Sequence, residues 1–198
     1  MHGGHVSRVR AAAVRCETPC RVEPENRDRR PFTLGVVDNP DMHSQRYVGV
    51  VGPGEATPEQ RRIARQVGGL LAGRRAVVVT GGLGGVMAAA SRGAIEAGGT
   101  TLGLLPDDDR MVGNPYLTVA VPTGLGEMRN ALLVRSSDAL VVVGGSWGTM
   151  SEIALAVRTG VPVVSIGGWK MPAGGVLDVE SPGEAVECLH ALLWRKDA

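Results

Sequence analysis

The chain has 198 residues, of which 43% are hydrophobic and 21% are charged, which suffices for one sizeable hydrophobic core. Its 21 basic and 20 acidic residues leave a net charge of +1, so composition excludes a global field that would draw the protein to nucleic acid or to an anionic membrane. No window reaches the roughly 18 consecutive apolar residues that a bilayer-spanning helix needs. We therefore expect a cytoplasmic protein with neither a membrane nor a nucleic-acid partner.

The amino-terminal part differs from the remainder. Residues 1–45 contain three of the four histidines and have no sustained apolar period, so we predict a poorly ordered extension. A single folded domain is predicted for residues 46–198, where the pattern becomes regular. Met42 lies close enough to the first predicted strand to be an alternative start of the chain.

Two groups of residues could be considered as metal ligands, and neither is favoured. Cys16 and Cys20 lie near His2 and His5, but their spacing lacks the second ligand pair of a zinc site. The acidic run 107–109 follows a predicted strand and could hold Mg²⁺ beside a phosphate, although such runs are usually solvated. We expect no metal site.

From residue 46 onward, apolar β-branched runs alternate with helical periods, which is typical of a parallel sheet with crossover helices. We predict an α/β fold: a Rossmann-like, doubly wound, mainly parallel sheet of about six or seven strands with helices on both faces. The strands that can be located are 47–51, 76–79, 101–105, 117–121, 139–143 and 161–166. Helices are predicted after Thr57 and at 86–97, about 125–136, 149–159 and 183–194.

The first helix has a clear beginning. Thr57 is placed to cap it, Pro58 suits its first position, and Gln60 completes a capping box. The periodicity predicts a buried stripe that contains Ile63, Val67, Leu70 and Leu71.

Two glycine-rich turns each follow a strand and open a helix. This geometry directs free backbone N–H groups and the positive end of a helix at an anion. Because the carboxyl ends of parallel strands lie at one edge of the sheet, the two turns should converge there, and we predict a site for a small phosphorylated ligand of the nucleoside monophosphate type. The turns contain Gly81, Gly82, Gly84 and Gly85, and Gly144, Gly145, Ser146, Trp147, Gly148 and Thr149.

Two common nucleotide motifs are missing. Gly52-x-Gly54 does not continue to a third glycine at the position that a dinucleotide fingerprint requires, and the second strand ends in Thr80-Gly81 rather than at an acidic residue. The chain contains no Gly-Lys-Ser/Thr sequence. NAD binding and ATP hydrolysis are therefore disfavoured.

Two charged residues lie next to the predicted phosphate turns. Glu152 follows Thr149 by three residues, which is the spacing of a capping box and also places a carboxylate beside the turn. The positive helix end should favour its ionised form, which suits it to stabilising a cation and not to donating a proton. Arg129 begins another predicted helix at the same edge of the sheet. The alternative is that it is an ordinary solvated arginine on the surface. Trp147 could stack on a base or fill a gap.

Four ordered motifs resemble those of the LOG family, over about residues 46–195. That family hydrolyses cytokinin-type nucleoside 5′-monophosphates to free base and ribose 5-phosphate. The wider superfamily also holds molybdenum-cofactor carrier proteins and DprA-like DNA-processing proteins, so the resemblance does not decide the activity. The motifs are Gly81-Gly82-x-Gly84-Gly85-x-Met87, Gly98-Gly99 with a strand ending in Pro106, Gly126-Glu127-Met128-Arg129-Asn130, and Gly144-Gly145-x-x-Gly148-Thr149-x-x-Glu152.

The resemblance implies roles for individual residues. Glu152 would stabilise a ribosyl oxocarbenium ion and orient water, Arg129 would fix the carboxylate or the phosphate, and Met87 and Asn130 would contact the ligand. No cofactor would be required, and a homodimer is implied. Asn130 stands where the family has lysine and Val143 where it has proline. The presence of both Arg129 and Glu152 favours a hydrolase of the N-glycosidic bond of a nucleoside 5′-monophosphate. The two departures favour the alternative, a non-catalytic carrier or sensor that binds a nucleotide or the molybdenum cofactor.

Overall fold

The computed structural model describes residues 45–171 and 174–194. The predictions made for residues 1–44, including those for Cys16, Cys20, His2, His5 and Met42, lie outside this range. The strands of the described part are β1 (Tyr47–Val51), β2 (Val77–Thr80), β3 (Thr100–Leu105), β4 (Val119–Pro122), β5 (Ala139–Val143), β6 (Val163–Ile166) and β7 (Val176–Val179). The helices are α1 (Pro58–Gly73), α2 (Gly85–Glu96), α3 (Arg129–Arg135), α4 (Trp147–Thr159) and α5 (Pro182–Leu193), with 3₁₀ turns at Arg110–Val112 and Gly126–Met128.

The seven described strands form one sheet in the order β4-β3-β2-β1-β5-β6-β7, and every neighbouring pair is parallel. The chain first builds outward from β1 to β4 and then returns to pair β5 with the free edge of β1. This reversal places a topological switch point between β1 and β5, where crevices open at the carboxyl ends of the strands. The predicted α/β, doubly wound, parallel fold is confirmed.

Each face of the sheet carries its own hydrophobic cluster. Val48 and Val141 belong to a cluster with α1, α2 and α5, whereas Val51 and Val142 belong to one with α3 and α4. Strands buried on both faces need apolar residues at successive positions, as in the fully buried β5. This is why the strands were recognisable as uninterrupted apolar runs.

The beginning of α1 is as predicted, but part of its buried stripe is not. Gln60 N donates to Thr57 Oγ1 at 3.2 Å and Thr57 N donates to Gln60 Oε1 at 2.9 Å, which completes the capping box. Leu70, however, is 44% exposed. The inward face is formed instead by small residues such as Ala64 and Gly68 together with Val67 and Leu71, because α2 packs closely against it.

Several boundaries differ from the prediction. β4 begins at Val119 instead of residue 117, and β6 begins at Val163 instead of residue 161, because their first residues belong to the preceding loops. α3 is preceded by a 3₁₀ turn and is shorter than predicted. β7 was not located in the sequence because its Leu177 and Asp178 are exposed at the sheet edge. Within the described residues, no helix is both long and apolar enough to cross a bilayer.

Candidate functional site

A cleft with two compartments lies at the switch point. The inner compartment has a volume of about 250 Å³ and is bounded by the ends of β1 and β2 and the beginnings of α3 and α4. The outer compartment has a volume of about 440 Å³. Arg129, Asn130, Gly148 and Leu83 line both, so the two compartments adjoin and together offer the volume of a typical small-molecule site.

The predicted site residues divide into those that line the cleft and those that shape its loops. The inner compartment is lined by Gly81, Met87, Arg129, Asn130, Ser146, Gly148, Thr149 and Glu152 among others. Trp147 lines the outer compartment. The structure places Gly82, Gly84, Gly144 and Gly145 in the adjoining loops and Gly85 at the first position of α2, all outside the lining of either compartment.

Arg129 and Glu152 form a buried charged pair in the inner compartment. Arg129 is the first residue of α3, Glu152 lies in the second turn of α4, and Arg129 Nη1 is 3.8 Å from Glu152 Oε1. Their side chains are only 9% and 8% exposed. Arg129 Nε and Nη1 have no hydrogen-bond partner among the described residues. An unsatisfied buried donor costs about 1–3 kcal/mol, so an anion that reached this guanidinium would gain from it.

Burial also changes the proton affinity of this pair. Desolvation raises the pKa of Glu152 to about 7, although the nearby guanidinium of Arg129 opposes the shift. Desolvation lowers the pKa of Arg129, and Glu152 partly offsets that effect. The expectation that the helix end keeps Glu152 ionised is wrong, because the carboxyl is buried and lies one turn further along the helix than the sequence indicated.

The beginning of α4 explains this displacement. Ser146, rather than Thr149, caps the helix: Thr149 N donates to Ser146 Oγ at 3.2 Å, and the two hydroxyls are 2.9 Å apart. The predicted capping box between Thr149 and Glu152 therefore does not form. Met150 N donates to Ser146 O, so the first-turn N–H groups of Trp147 and Gly148 remain without an intrahelical acceptor. They are available to an anionic ligand.

The first glycine turn is built around the side chain of Arg129. A Cβ at Gly81 would collide with the Arg129 guanidinium, and a Cβ at Gly85 would collide with the carbonyls of Pro53 and Gly54. Gly82 adopts a φ of 75°, which strongly favours glycine. The sequence analysis missed Asn114, whose Nδ2 donates to Gly82 O at 3.0 Å and to Leu83 O at 3.1 Å and so holds this turn in place.

The second glycine turn is shaped by close contacts with two side chains. Gly144 has a φ of 70° and lies against Gln60, and a Cβ at Gly145 would come within 2.6 Å of Trp169 Cδ1. Trp169 in turn meets Trp147 edge to face, with ring centroids 5.1 Å apart and an interplanar angle of 82°. Trp169 was missed by the sequence analysis, because nothing in the local pattern pairs it with a residue 22 positions earlier.

Three further side chains with reactive or ligating groups, those of Asp109, Cys188 and His190, do not line the cleft. Asp109 accepts a hydrogen bond from Met111 N and caps a 3₁₀ turn. Cys188 is a half-buried free thiol in α5, and His190 stacks on Trp194 with ring centroids 5.8 Å apart. In residues 45–171 and 174–194, no group of three or more histidine, cysteine or acidic side chains is placed to hold a metal ion.

The fold and the cleft define a Rossmann-like protein of the superfamily that includes LOG enzymes and molybdenum-cofactor carriers, as the motifs predicted. Residues 45–186 match the SLOG cluster4 family, and the chain belongs to that family. A protein of Archaeoglobus fulgidus, described as uncharacterized, is 43% identical over 141 residues, which cover 70% of this chain and 91% of that protein.

Two similar solved structures are those of a molybdenum cofactor binding protein and of a molybdenum-cofactor carrier protein. The molybdenum cofactor binding protein of Rippkaea orientalis is 34% identical with a TM-score of 0.72, and the alignment covers 75% of this chain and 97% of that one. The molybdenum-cofactor carrier protein of Chlamydomonas reinhardtii is also 34% identical with a TM-score of 0.70, and the alignment covers 76% and 99%. The chain thus spans nearly the full length of both proteins.

Proposed function

We propose that this protein is a carrier or sensor that binds the phosphate monoester of a planar heterocycle, with the molybdenum cofactor as the leading candidate cargo. The observation that carries the proposal is the guanidinium of Arg129, buried with two unsatisfied donors next to the free N–H groups at the beginning of α4. A phosphate monoester satisfies both sets of donors. The similarity to a molybdenum cofactor binding protein and to a molybdenum-cofactor carrier protein supports this proposal.

The phosphate would occupy the inner compartment. The N–H groups of Trp147 and Gly148 and the positive end of α4 would contact its oxygens, and Arg129 would supply a charge-assisted hydrogen bond. Thr149 lines the same compartment with 1% of its surface exposed, and its hydroxyl lies 2.9 Å from that of Ser146. This set of donors recognises a phosphate group without regard to the rest of the ligand.

The heterocycle would occupy the outer compartment. Trp147 is 82% exposed there, and its ring is braced by the edge-to-face contact with Trp169. Large exposed indoles are uncommon on a surface unless they contact a partner, and a flat ring stacks well on pterins and purines. A pterin phosphate would therefore be held at two points, by its phosphate in the inner compartment and by its ring in the outer compartment.

The test is binding of the molybdenum cofactor and of a panel of purine nucleoside 5′-monophosphates, followed by quenching of tryptophan fluorescence. Trp147→Ala should weaken binding at least tenfold while the protein stays folded, since this side chain is exposed. Trp194→Phe is the matched control, because Trp194 contacts His190 outside the cleft. Equal affinities in all three proteins would contradict the proposal.

A second candidate function is hydrolysis of the N-glycosidic bond of a nucleoside 5′-monophosphate. It is favoured by the pKa of Glu152, which burial raises to about 7, close to the value of an effective general acid at neutral pH. Glu152 would give its proton to the leaving base nitrogen as the C1′–N bond breaks. Its carboxylate would then stabilise the oxocarbenium ion and accept a proton from the water that attacks C1′.

The hydrolase is tested by release of free base from the same nucleotide panel. If the activity exists, Glu152→Gln should reduce it by at least a hundredfold, whereas Glu180→Gln, an exposed carboxylate before α5, should not change it. If the wild type binds a nucleotide tightly and releases no base, the hydrolase is excluded and the carrier or sensor function is supported. Base release that survives in Glu152→Gln would exclude the catalytic role of this residue.

We also propose that the protein forms a homodimer through the segment that carries Arg129. Leu125, Met128 and Leu132 are exposed and occur at the spacing of one face around the 3₁₀ turn and α3. Met128 is 76% exposed, and burial against a second copy would remove this apolar surface from water.

A further inference from the structure

A second cavity, which the proposed function does not use, lies on the outer side of α1 and α2. It has a volume of about 420 Å³ and shares no lining residue with the two compartments of the cleft. We refer to it as the arginine groove. Its charged and aromatic lining consists of Arg61, Arg62 and Arg65 on α1, Arg92 on α2, and Tyr116.

The arginine groove has more positive than negative charges. Arg62 pairs with Glu59 at 2.6 Å, whereas Arg65 and Arg92 share the single carboxylate of Glu96 at 2.6 and 2.8 Å. The ion pairs of the described residues therefore supply two carboxylates for the four guanidinium groups.

Arg61 is exposed and forms no ion pair with any described residue. The other three arginines, Arg62, Arg65 and Arg92, form ion pairs that are exposed to solvent, and such pairs are weak. Their guanidinium groups can therefore turn to a phosphate, which they bind through two parallel hydrogen bonds.

The walls of the groove are held at a fixed separation. A Cβ at Gly68 would collide with the Ala90 carbonyl, and a Cβ at Gly93 would collide with the Arg65 carbonyl, so α1 and α2 are in backbone contact below the groove. Both helices begin at one end of the arginine groove, where their first residues, Pro58 and Gly85, form part of the lining. The amino termini of the two helices add partial positive charge there.

Tyr116 supplies the aromatic part of the lining. The guanidinium of Arg92 lies 5.8 Å from the centroid of its ring, so the ring lies beside the charged part of the lining. The groove thus combines an aromatic ring with an excess of guanidinium groups.

We propose that the arginine groove is a second binding site, separate from the cleft, for a small phosphorylated molecule. Its two excess positive charges match a phosphate monoester, which carries a charge of about −1.5 to −2 at pH 7. A long nucleic acid would need positive charge extending beyond this groove, and the net charge of the chain is only +1. This inference does not depend on what the cleft binds.

The first experiment is arginine-selective labelling of the full chain with phenylglyoxal, read at each residue by mass spectrometry. Adenosine 5′-monophosphate should slow the labelling of Arg61 and Arg65 at least fivefold relative to sodium chloride at equal ionic strength. The exposed Arg158 of α4 is the internal control and should react at an unchanged rate. Equal rates at all three arginines with and without the nucleotide would overturn the proposal.

Two further probes identify what the groove recognises. Protection of Arg61 and Arg65 by inorganic phosphate would support recognition of the phosphate group itself. Protection by adenosine 5′-monophosphate and not by inorganic phosphate would support a site that also contacts the organic part, through Tyr116. Protection by single-stranded DNA and by neither small molecule would overturn the proposal in favour of a nucleic-acid surface.

Variants separate the groove from the cleft. Arg61→Gln should reduce the protection of Arg65 at least fivefold, whereas the matched variant Arg158→Gln should leave it unchanged. Glu152→Gln alters the cleft and should also leave it unchanged, so the groove can be tested even if the proposed function fails. Loss of groove protection in Glu152→Gln would show that the two sites are one, and would overturn the proposal.

Discussion

The guanidinium of Arg129 occupies the space that a Cβ at Gly81 would need, so a side chain fits at residue 81 only if Arg129 moves. The contact joins the turn after β2 to the first residue of α3. It explains in steric terms why the first glycine turn begins with glycine, and it holds the cation in the inner compartment.

Replacing Gly81 with alanine should displace Arg129 and weaken phosphate binding at least tenfold. Overpacking of this kind costs about 1–3 kcal/mol of stability, which thermal unfolding measures. Gly73→Ala is the matched control, because a Cβ at this helical residue meets no atom within 4 Å. A Gly81→Ala protein with wild-type affinity would show that the position of Arg129 does not matter for binding.

Stability should fall as the pH rises from about 4.5 to about 7. The pKa of Glu152 is raised to about 7 in the folded protein, so the folded state holds a proton that the unfolded state has released. Below pH 4.5 this contribution is complete, and it is lost as the pH rises through 7, with a total of roughly 3 kcal/mol. Chemical denaturation at a series of pH values measures it.

Glu152→Gln provides the comparison for this pH dependence. The variant should lack the additional slope between pH 4.5 and 7, whatever its absolute stability, because glutamine does not titrate in that range. Parallel stability curves for the wild type and the variant would contradict the buried, protonated carboxyl.

The cap of α4 should contribute to both folding and binding. Ser146→Ala removes the acceptor of Thr149 N and should cost about 1 kcal/mol of unfolding free energy. Ser181→Ala removes the equivalent cap of α5, where Ser181 Oγ accepts from Glu184 N, and should cost a similar amount. Only Ser146→Ala should also weaken ligand affinity. Equal affinities in the two variants would separate this helix terminus from the ligand site.

The proposed homodimer predicts that Met128→Lys will produce monomers, because a charge would have to be buried in an apolar interface. Light scattering coupled to size-exclusion chromatography measures the molar mass. Leu192→Lys is the control, since Leu192 is exposed on α5 at a distance in sequence from this segment. A wild-type protein that runs as a monomer at micromolar concentration would refute the dimer.

The fold could be predicted from the sequence to the extent that its signals are local. The capping box of Thr57 and Gln60 is a contact over three residues, and the sequence predicted it correctly. The exposure of Leu70 depends instead on how closely α2 approaches α1, and that distance is set by Gly68 against the carbonyl of Ala90. Such long-range packing leaves no periodic signal in α1 itself.

The candidate site shows the same limit. Part of the cleft lining, including Gly81, Ser146 and Gly148, was predicted because glycine turns after parallel strands meet at one edge of the sheet. The exchange of the cap from Thr149 to Ser146 was missed, because both residue types are good caps. With Ser146 as the cap, Glu152 lies in the second turn of α4, where its side chain is buried beside Arg129. The pKa of Glu152 follows from that burial and so was predicted with the wrong sign.

The most direct test of the proposed phosphate site is a nuclear magnetic resonance titration of the isotopically labelled protein with the molybdenum cofactor and with purine nucleoside 5′-monophosphates. The backbone amide signals of Trp147 and Gly148 should shift with the same affinity as the indole signal of Trp147, since phosphate and ring bind together. A ligand that binds and leaves these amide signals unchanged, or a full panel that produces no shift at the beginning of α4, would contradict the proposed site.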